Sequence, residues 1–390
     1  CATVASVGHS SPSRVLVAMS GGVDSSVAAA RLVSAGHEVI GVTLHLWDYP
    51  DDGSVRGRCC APEDQHDARR VADALGIPHY AFDRRADFLK EVVDPFVDAY
   101  LSGETPSPCV ACNRGVKMRE LFALADRLGA RWVATGHYAR VLREGGVVRL
   151  ARGVDGAKDQ SYFLHTLGPE QLDRLLLPLG EATKGQIRAE ALALGLHGAT
   201  KGESQELCFV PTGRYDAFVE ARAGDRIRPG PILDASGQEV GRHGGVHRFT
   251  IGQRKGLGVA LGEPAFVVGI DAGEGAVRLG DRAALGVRRV AVEGWVQAPG
   301  WLPGAEVLVK VRARHEGARA RVDVGPGGEA EVTFLEPVGG VSPGQYAVAY
   351  AGEVVVGGGR IVKALPGGAE VEIVEDGKGQ ALPGAAEVRS

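Results

Sequence analysis

The stretch VLVAMSGGVDSSVAAARL, Val15–Leu32, decides the fold. Val15 to Met19 is continuously apolar, the pattern of a strand covered on both faces within a parallel sheet. A helix follows at once: Ser20 or Asp24 is placed to cap it, the Ala-rich segment from Val27 to Leu32 favours it, and Gly36 stops it. The first turn of such a helix leaves backbone N–H groups without partners and gathers the positive end of the macrodipole, so strand, glycine turn and helix together form an anion site. Gly21 and Gly22 let a phosphate approach the backbone, and Ser20, Ser25 and Ser26 add hydroxyl donors. The loop lacks the Gly-Lys-Ser/Thr ending of a Walker A motif and lacks G-x-G-x-x-G, which argues against a P-loop kinase or a dinucleotide enzyme.

Outward from this loop the same grammar repeats. Strand-like runs recur at Val15–Met19, Glu38–Leu44, His79–Phe82 and Trp132–Thr135, with helical patterns at Val23–Ser34, Glu63–Leu75, Asp87–Leu101 and Val116–Leu128. The alternation predicts an α/β fold, a doubly wound parallel sheet with ligands at the carboxyl ends of its strands. Past Pro211, Gly and Pro punctuate short β-rich runs, which predicts a small β-rich connector and then an antiparallel β-barrel. We expect a flexible N-terminus over 1–13, a catalytic domain over 14–210, a connector over 211–282, a barrel over 283–365 and a flexible acidic tail over 366–390.

The 390 residues, 44% hydrophobic and 24% charged, suit a soluble protein of two or three domains. No apolar run approaches membrane-spanning length and the N-terminal segment has no signal-peptide pattern, so a cytoplasmic protein without a membrane partner is expected. Cys1 in place of an initiator Met is read as a processed or trimmed start. A net charge of −4 argues against a general nucleic-acid coat protein. Between Asp281 and Arg321, however, eight Arg/Lys face four acids, a basic stretch suited to phosphate contacts.

The six cysteines are Cys1, Cys59, Cys60, Cys109, Cys112 and Cys208. In an intracellular chain of this size they suit catalysis or metal binding better than a disulfide framework. Cys109 and Cys112 have C-x-x-C spacing at the start of a helix introduced by Pro106 and Pro108, where a thiolate is stabilised. No second C-x-x-C completes a zinc site. With Cys208 the three thiols match a cluster that keeps one open iron. Cys59 and Cys60 read as small, at least half-buried residues beside a helix start.

The ordered set AMSGGVDSSVAA, TPSPCVACN, ATGHYAR, KDQSYFL, SQELCFV, TIGQRKGLG and PGQYAVAY resembles the bacterial tRNA-specific 2-thiouridylase family (MnmA/TrmU), over roughly Val15 to Val362. The resemblance implies an N-terminal PP-loop ATP-pyrophosphatase domain, of the adenine nucleotide alpha hydrolase-like kind, a small central domain and a C-terminal barrel that contacts tRNA. It implies ATP-dependent replacement of the 2-oxygen of the wobble uridine, position 34, by sulfur. By matching position, Ala18, Met19, Ser20, Gly21, Gly22, Val23, Asp24 and Ser25 would bind ATP, with Leu44 and Gly136 against the adenosine. Ser107, Pro108 and Cys109 would face the target base. Cys112 matches the nucleophile and Cys208 the persulfide carrier, with a Cys112–Cys208 disulfide left at the end of the reaction. His137, Lys158, Asp159, Gln160 and Gln345 match tRNA-contacting positions, and Arg312 and Arg314 lie near another. Many relatives have an acidic residue in place of Cys109 and Met in place of Leu44.

Three readings follow. In the first, ATP adenylates the uracil oxygen, Mg²⁺ is held in part by Asp24, and a persulfide on Cys208, loaded by a cysteine desulfurase or a relay carrier, supplies the sulfur. In the second, Cys109, Cys112 and Cys208 hold a [4Fe-4S] cluster that carries it. In the third, a PP-loop ligase adenylates a small molecule and the barrel serves oligomerisation. Asp24 reads equally well as a first-turn acid favoured by the helix dipole. A monomer is expected, with a dimer as the alternative.

Overall fold

The computed structural model describes residues 12–48, 62–197, 207–210, 213–260 and 262–366, so Cys1, Cys59, Cys60 and the acidic tail lie outside the described residues. Five parallel strands form the first sheet, in the order His79–Asp83, Glu38–His45, Arg14–Ala18, Trp132–Ala134, Leu175–Leu176. Alternate residues along each strand enter two different apolar clusters: Leu16, Ile40, Val42 and Val133 enter one, Val15, Val17, Val39 and Trp132 the other. Both faces are therefore buried, which is why the strand reads as an unbroken apolar run.

The first helix spans Val23–Ser34. The expected side-chain cap is not there. Gly22 occupies the N-cap position, and the Ser25 and Ser26 hydroxyls, each 3.0 Å away, donate back to its carbonyl. Ser25 Oγ also accepts from the Ser20 backbone N–H at 3.1 Å, so the loop's hydroxyls close the turn on itself. Gly36, with φ of +82°, follows the helix as expected. The two later helices are less regular than their patterns suggest. The segment read as Asp87–Leu101 widens to π geometry over Leu89–Val93, and the helix that begins at Pro108 does so over Cys112–Met118. The two widened segments pack together: a side chain on Gly115 would meet Glu91 Oε2 at 2.7 Å, and Glu91 pairs with Arg119 at 2.6 Å. A π segment in a helix often marks a functional site.

A second sheet orders Phe266–Asp271, Ala276–Gly280, Gly230–Leu233 and Glu239–His243 around Ile232, Phe249, Val267 and Leu279. The last six strands, from Val287–Gln297 to Val354–Pro366, close into an antiparallel barrel because the first and last of them pair. One feature crosses the expected domain limits. The hairpin Ala139–Glu144 and Val147–Arg152 leaves the first domain and joins the barrel sheet through Ala151 opposite Val354. Another is the helix Tyr215–Ala223, whose Val219 and Ala223 enter the first core while Tyr215 stacks on Tyr100 at 4.6 Å. Among the described residues no helix is long and apolar enough to cross a membrane.

Candidate active site

Strand order reverses between Arg14–Ala18 and Trp132–Ala134, the place where α/β sheets bind ligands. A cavity of about 230 Å³ opens there, lined by Ala18, Met19, Ser20, Asp24 and Ser25 from the glycine loop. Leu44, Gly136, His137 and Gln160 complete its walls, with Lys117, Met118 and Leu121 from the helix that carries the cysteines. Gly21 cannot be replaced without strain, since its φ is +73° and a Cβ would lie 2.1 Å from the Asp64 carbonyl oxygen. Gly136 has a different reason: a Cβ there would lie 2.9 Å from the Ser25 backbone nitrogen. The second strand end thus closes directly on the start of the first helix.

Asp24 is held by groups far away in sequence. The Lys184 ammonium donates to both carboxylate oxygens at 2.7 and 2.8 Å, and the Tyr138 hydroxyl donates to Oδ1 at 2.6 Å. Lys184 is buried at the first position of a helix capped by Thr183 and Gln186. As arranged, the carboxylate read as a Mg²⁺ ligand carries an ammonium instead, so it does not fit a cation at that place. His137 Nδ1 lies 2.8 Å from Thr135 Oγ1. Burial, reinforced by the Lys117 charge, lowers its pKa to about 3. The ring is therefore neutral at physiological pH.

The thiols lie along one side of the same domain. Cys109, exposed, and Cys112, buried, sit three residues apart on the helix that begins at Pro108. Cys112 belongs to the first apolar cluster, and Leu207 and Cys208 pack against that cluster. Phe209 anchors the latter segment, its ring 5.0 Å from Phe96 and 5.7 Å from Phe88. No disulfide joins two of the described cysteines. Among the described residues no three His, Cys, Asp or Glu are arranged to hold a metal ion.

Three family models match successive parts of the chain: a tRNA methyl transferase HUP domain over 13–212, a tRNA methyl transferase PRC-barrel domain over 216–281, and an aminomethyltransferase beta-barrel domain over 295–361. The chain is 65% identical over 361 residues to the tRNA-specific 2-thiouridylase MnmA of Sorangium cellulosum, covering 91% of this chain and 94% of that one. The chain belongs to the tRNA-specific 2-thiouridylase family. The corresponding protein of a Roseiflexus species is 46% identical, over 90% of this chain and 99% of its own length. That of Chloroflexus aurantiacus is 48% identical, over 90% and 98% respectively. Family members are ATP-dependent sulfurtransferases, and the HUP match accords with the parallel sheet and the cleft at its strand ends.

The residues read as tRNA-contacting fall into separate places. His137 and Gln160 line the cavity at the strand ends. Asp159 accepts from the Gly153 and Ser161 backbone N–H groups at 3.2 and 3.0 Å, which shapes its loop, and Lys158 lies half-buried beside it. Arg312 and Arg314 are exposed at a barrel turn, with Arg312 donating to the Gly340 carbonyl at 3.1 Å. Gln345 donates to the Thr105 and Pro106 carbonyls at 2.8 and 3.2 Å. Sequence reasoning missed Lys184, Tyr138 and Lys117. The capping pair Thr183 and Gln186 was a legible signal for the helix that carries Lys184, but nothing local tied that helix to Asp24.

Proposed function

We propose that this chain converts the wobble uridine of tRNA to 2-thiouridine, with ATP as activator and Cys208 and Cys112 as the sulfur-handling pair. The observation that carries the reading is one helix serving both halves of the chemistry. Lys117, Met118 and Leu121 face the nucleotide cleft, and Cys112 lies five residues before Lys117 on the same helix.

An amide-like oxygen is a poor leaving group, so it must be activated before sulfur replaces it. The uracil 2-oxygen attacks the α-phosphorus of ATP, and the bond to pyrophosphate breaks. The loop's backbone N–H groups and the helix dipole receive the pyrophosphate. Lys184 cancels the charge of Asp24, which would otherwise repel the phosphates. The outer sulfur of a Cys208 persulfide then attacks C2 and expels AMP. The Cys112 thiolate attacks the inner sulfur, the S–S bond breaks, and 2-thiouridine and a Cys112–Cys208 disulfide remain. A thiol reductant restores both thiols, and a sulfur-donor protein reloads Cys208.

Ser107, Pro108 and Cys109 stand beside Cys112 to receive the target base, which must be turned out of its loop at a cost of a few kcal/mol. The basic turn with Arg312 and Arg314 supplies phosphate contacts that offset this cost. Full-length protein incubated with ATP, unmodified tRNA and a persulfide donor tests the reading. 2-Thiouridine should appear with one AMP per modified base, and AMP formation without thiolation would refute the transfer step.

A further inference from the structure

The segment that leads into the cysteine helix is held from outside its own domain. The Thr105 backbone N–H donates to the Pro343 carbonyl at 2.9 Å, and Gln345 returns its amide to the Thr105 and Pro106 carbonyls. Arg360 donates to Glu104, and its other arm donates to Glu293 at 2.7 Å within the barrel. Gly344 is pressed so closely on the segment that a Cβ would meet the Thr105 carbonyl oxygen at 3.0 Å. Farther in, the two parts share an apolar core: Val348, Tyr350 and Val355 of the barrel join the cluster that holds Val110 and Cys112. A cavity of about 290 Å³ separates Ser107, Pro108 and Ala111 from Tyr346 and Arg360. Val110 and Cys112 are held by the core, whereas the half-buried lead-in at 104–107 that precedes them is tied to the barrel by the polar bonds at 104–106.

We infer that Arg360 and Gln345 of the barrel are positioning residues for sulfur transfer: through Glu104, Thr105 and Pro106 they set where Ser107 and Cys109 stand beside Cys112. The barrel is then part of the reaction centre as well as a surface for RNA. This rests on the reading of Cys112 as nucleophile. Misplacing a reacting group by an ångström can cost a hundredfold in rate, so loss of one of several bonds should cost on the order of tenfold.

The test compares Arg360→Ala, Glu104→Gln and Glu293→Gln in the full chain. Glu293 shares Arg360 but touches only the barrel side, so Glu293→Gln separates barrel stability from positioning. For Arg360→Ala and Glu104→Gln we expect kcat for thiolation to fall on the order of tenfold with tRNA Kd unchanged, and Arg360→Lys to recover part of the loss. Iodoacetamide should alkylate the exposed Cys109 several times faster in both, a readout that holds whether or not the protein thiolates tRNA. Unchanged kcat and alkylation would overturn the inference. So would a loss of tRNA binding that accounts for the whole effect, or a Glu293→Gln variant as impaired as Arg360→Ala. Faster alkylation in a chain with no thiolating activity would instead remove the function and keep the clamp.

Discussion

The nucleotide cleft and the cysteine segment are built in opposite ways. The cleft is assembled within one sheet: Gly21 on the Asp64 carbonyl, Gly136 on the Ser25 nitrogen, Thr43 Oγ1 donating to the Met19 carbonyl at 2.7 Å. Strand ends and the helices that start beside them close tightly on one another and leave little freedom. The sulfur side is composite. Cys112 comes from a widened helix, Cys208 from a segment anchored by Phe209, and the lead-in at 104–107 from bonds to the barrel. A phosphate site can be prefabricated, whereas a site that must admit a macromolecule's base and exchange sulfur with a donor is set by several elements.

The largest effect expected from this contrast is a clean separation of functions. Cys112→Ser and Cys208→Ser should each abolish thiolation while ATP binds as in the parent, measured by calorimetry and by mass spectrometry of tRNA nucleosides. Near-normal thiolation in either would remove that thiol from the mechanism.

Next is the phosphate half. Lys184→Met leaves the Asp24 carboxylate facing the phosphates without its cation and should weaken ATP binding on the order of tenfold or more. Asp24→Asn with Lys184→Met together should cost less than the sum of the two, since the pair acts as a unit. Additive losses would show that the residues act separately.

A smaller effect concerns the barrel surface. tRNA affinity should fall steeply with salt despite the chain's net charge of −4, because bound arginines release counterions. Replacing Arg312 and Arg314 by Ala should flatten the slope of log K against log salt by about 1–2. An unchanged slope would move the RNA surface elsewhere.

The smallest is a stability effect of pH. Burial lowers the pKa of His165 to about 4, and its Nδ1 donates to the Tyr162 carbonyl at 2.7 Å. The folded chain keeps this ring neutral, while the unfolded chain protonates it near the ordinary value of 6.5. Between those pH values the unfolded state binds the extra proton, so stability is lost as pH falls from about 6.5 and the loss levels off below about 4. His137 acts in the same direction. His165→Asn should make Tm fall less steeply over pH 6.5 to 5; an identical slope would assign the effect to other groups.

Much of the first half was legible because its determinants are local. An unbroken apolar run, a glycine turn and an Ala-rich helix give Val15–Leu32 almost residue by residue, and Val23–Ser34 is the helix observed. Local pattern could not show that Lys184 meets Asp24 across 160 positions, or that the hairpin at 139–152 joins the barrel. The π geometry at Cys112–Met118 was not visible in the residue pattern, nor was the close approach of Glu91 to Gly115 on the neighbouring helix. Gln345 was read as a tRNA-contacting position by matching alone; its partners in the fold are the Thr105 and Pro106 carbonyls, which local pattern could not show.

The central claim is that two thiols, Cys112 and Cys208, carry the sulfur and Cys109 stands beside them. Its most direct test is Cys109→Ser prepared without oxygen, with thiolation rate and iron content measured on the same sample as the parent. The account predicts that the rate falls only modestly and that neither protein holds iron in proportion to its activity. An active, iron-bearing parent beside an inactive, iron-free Cys109→Ser would contradict it and assign the sulfur to a metal cluster.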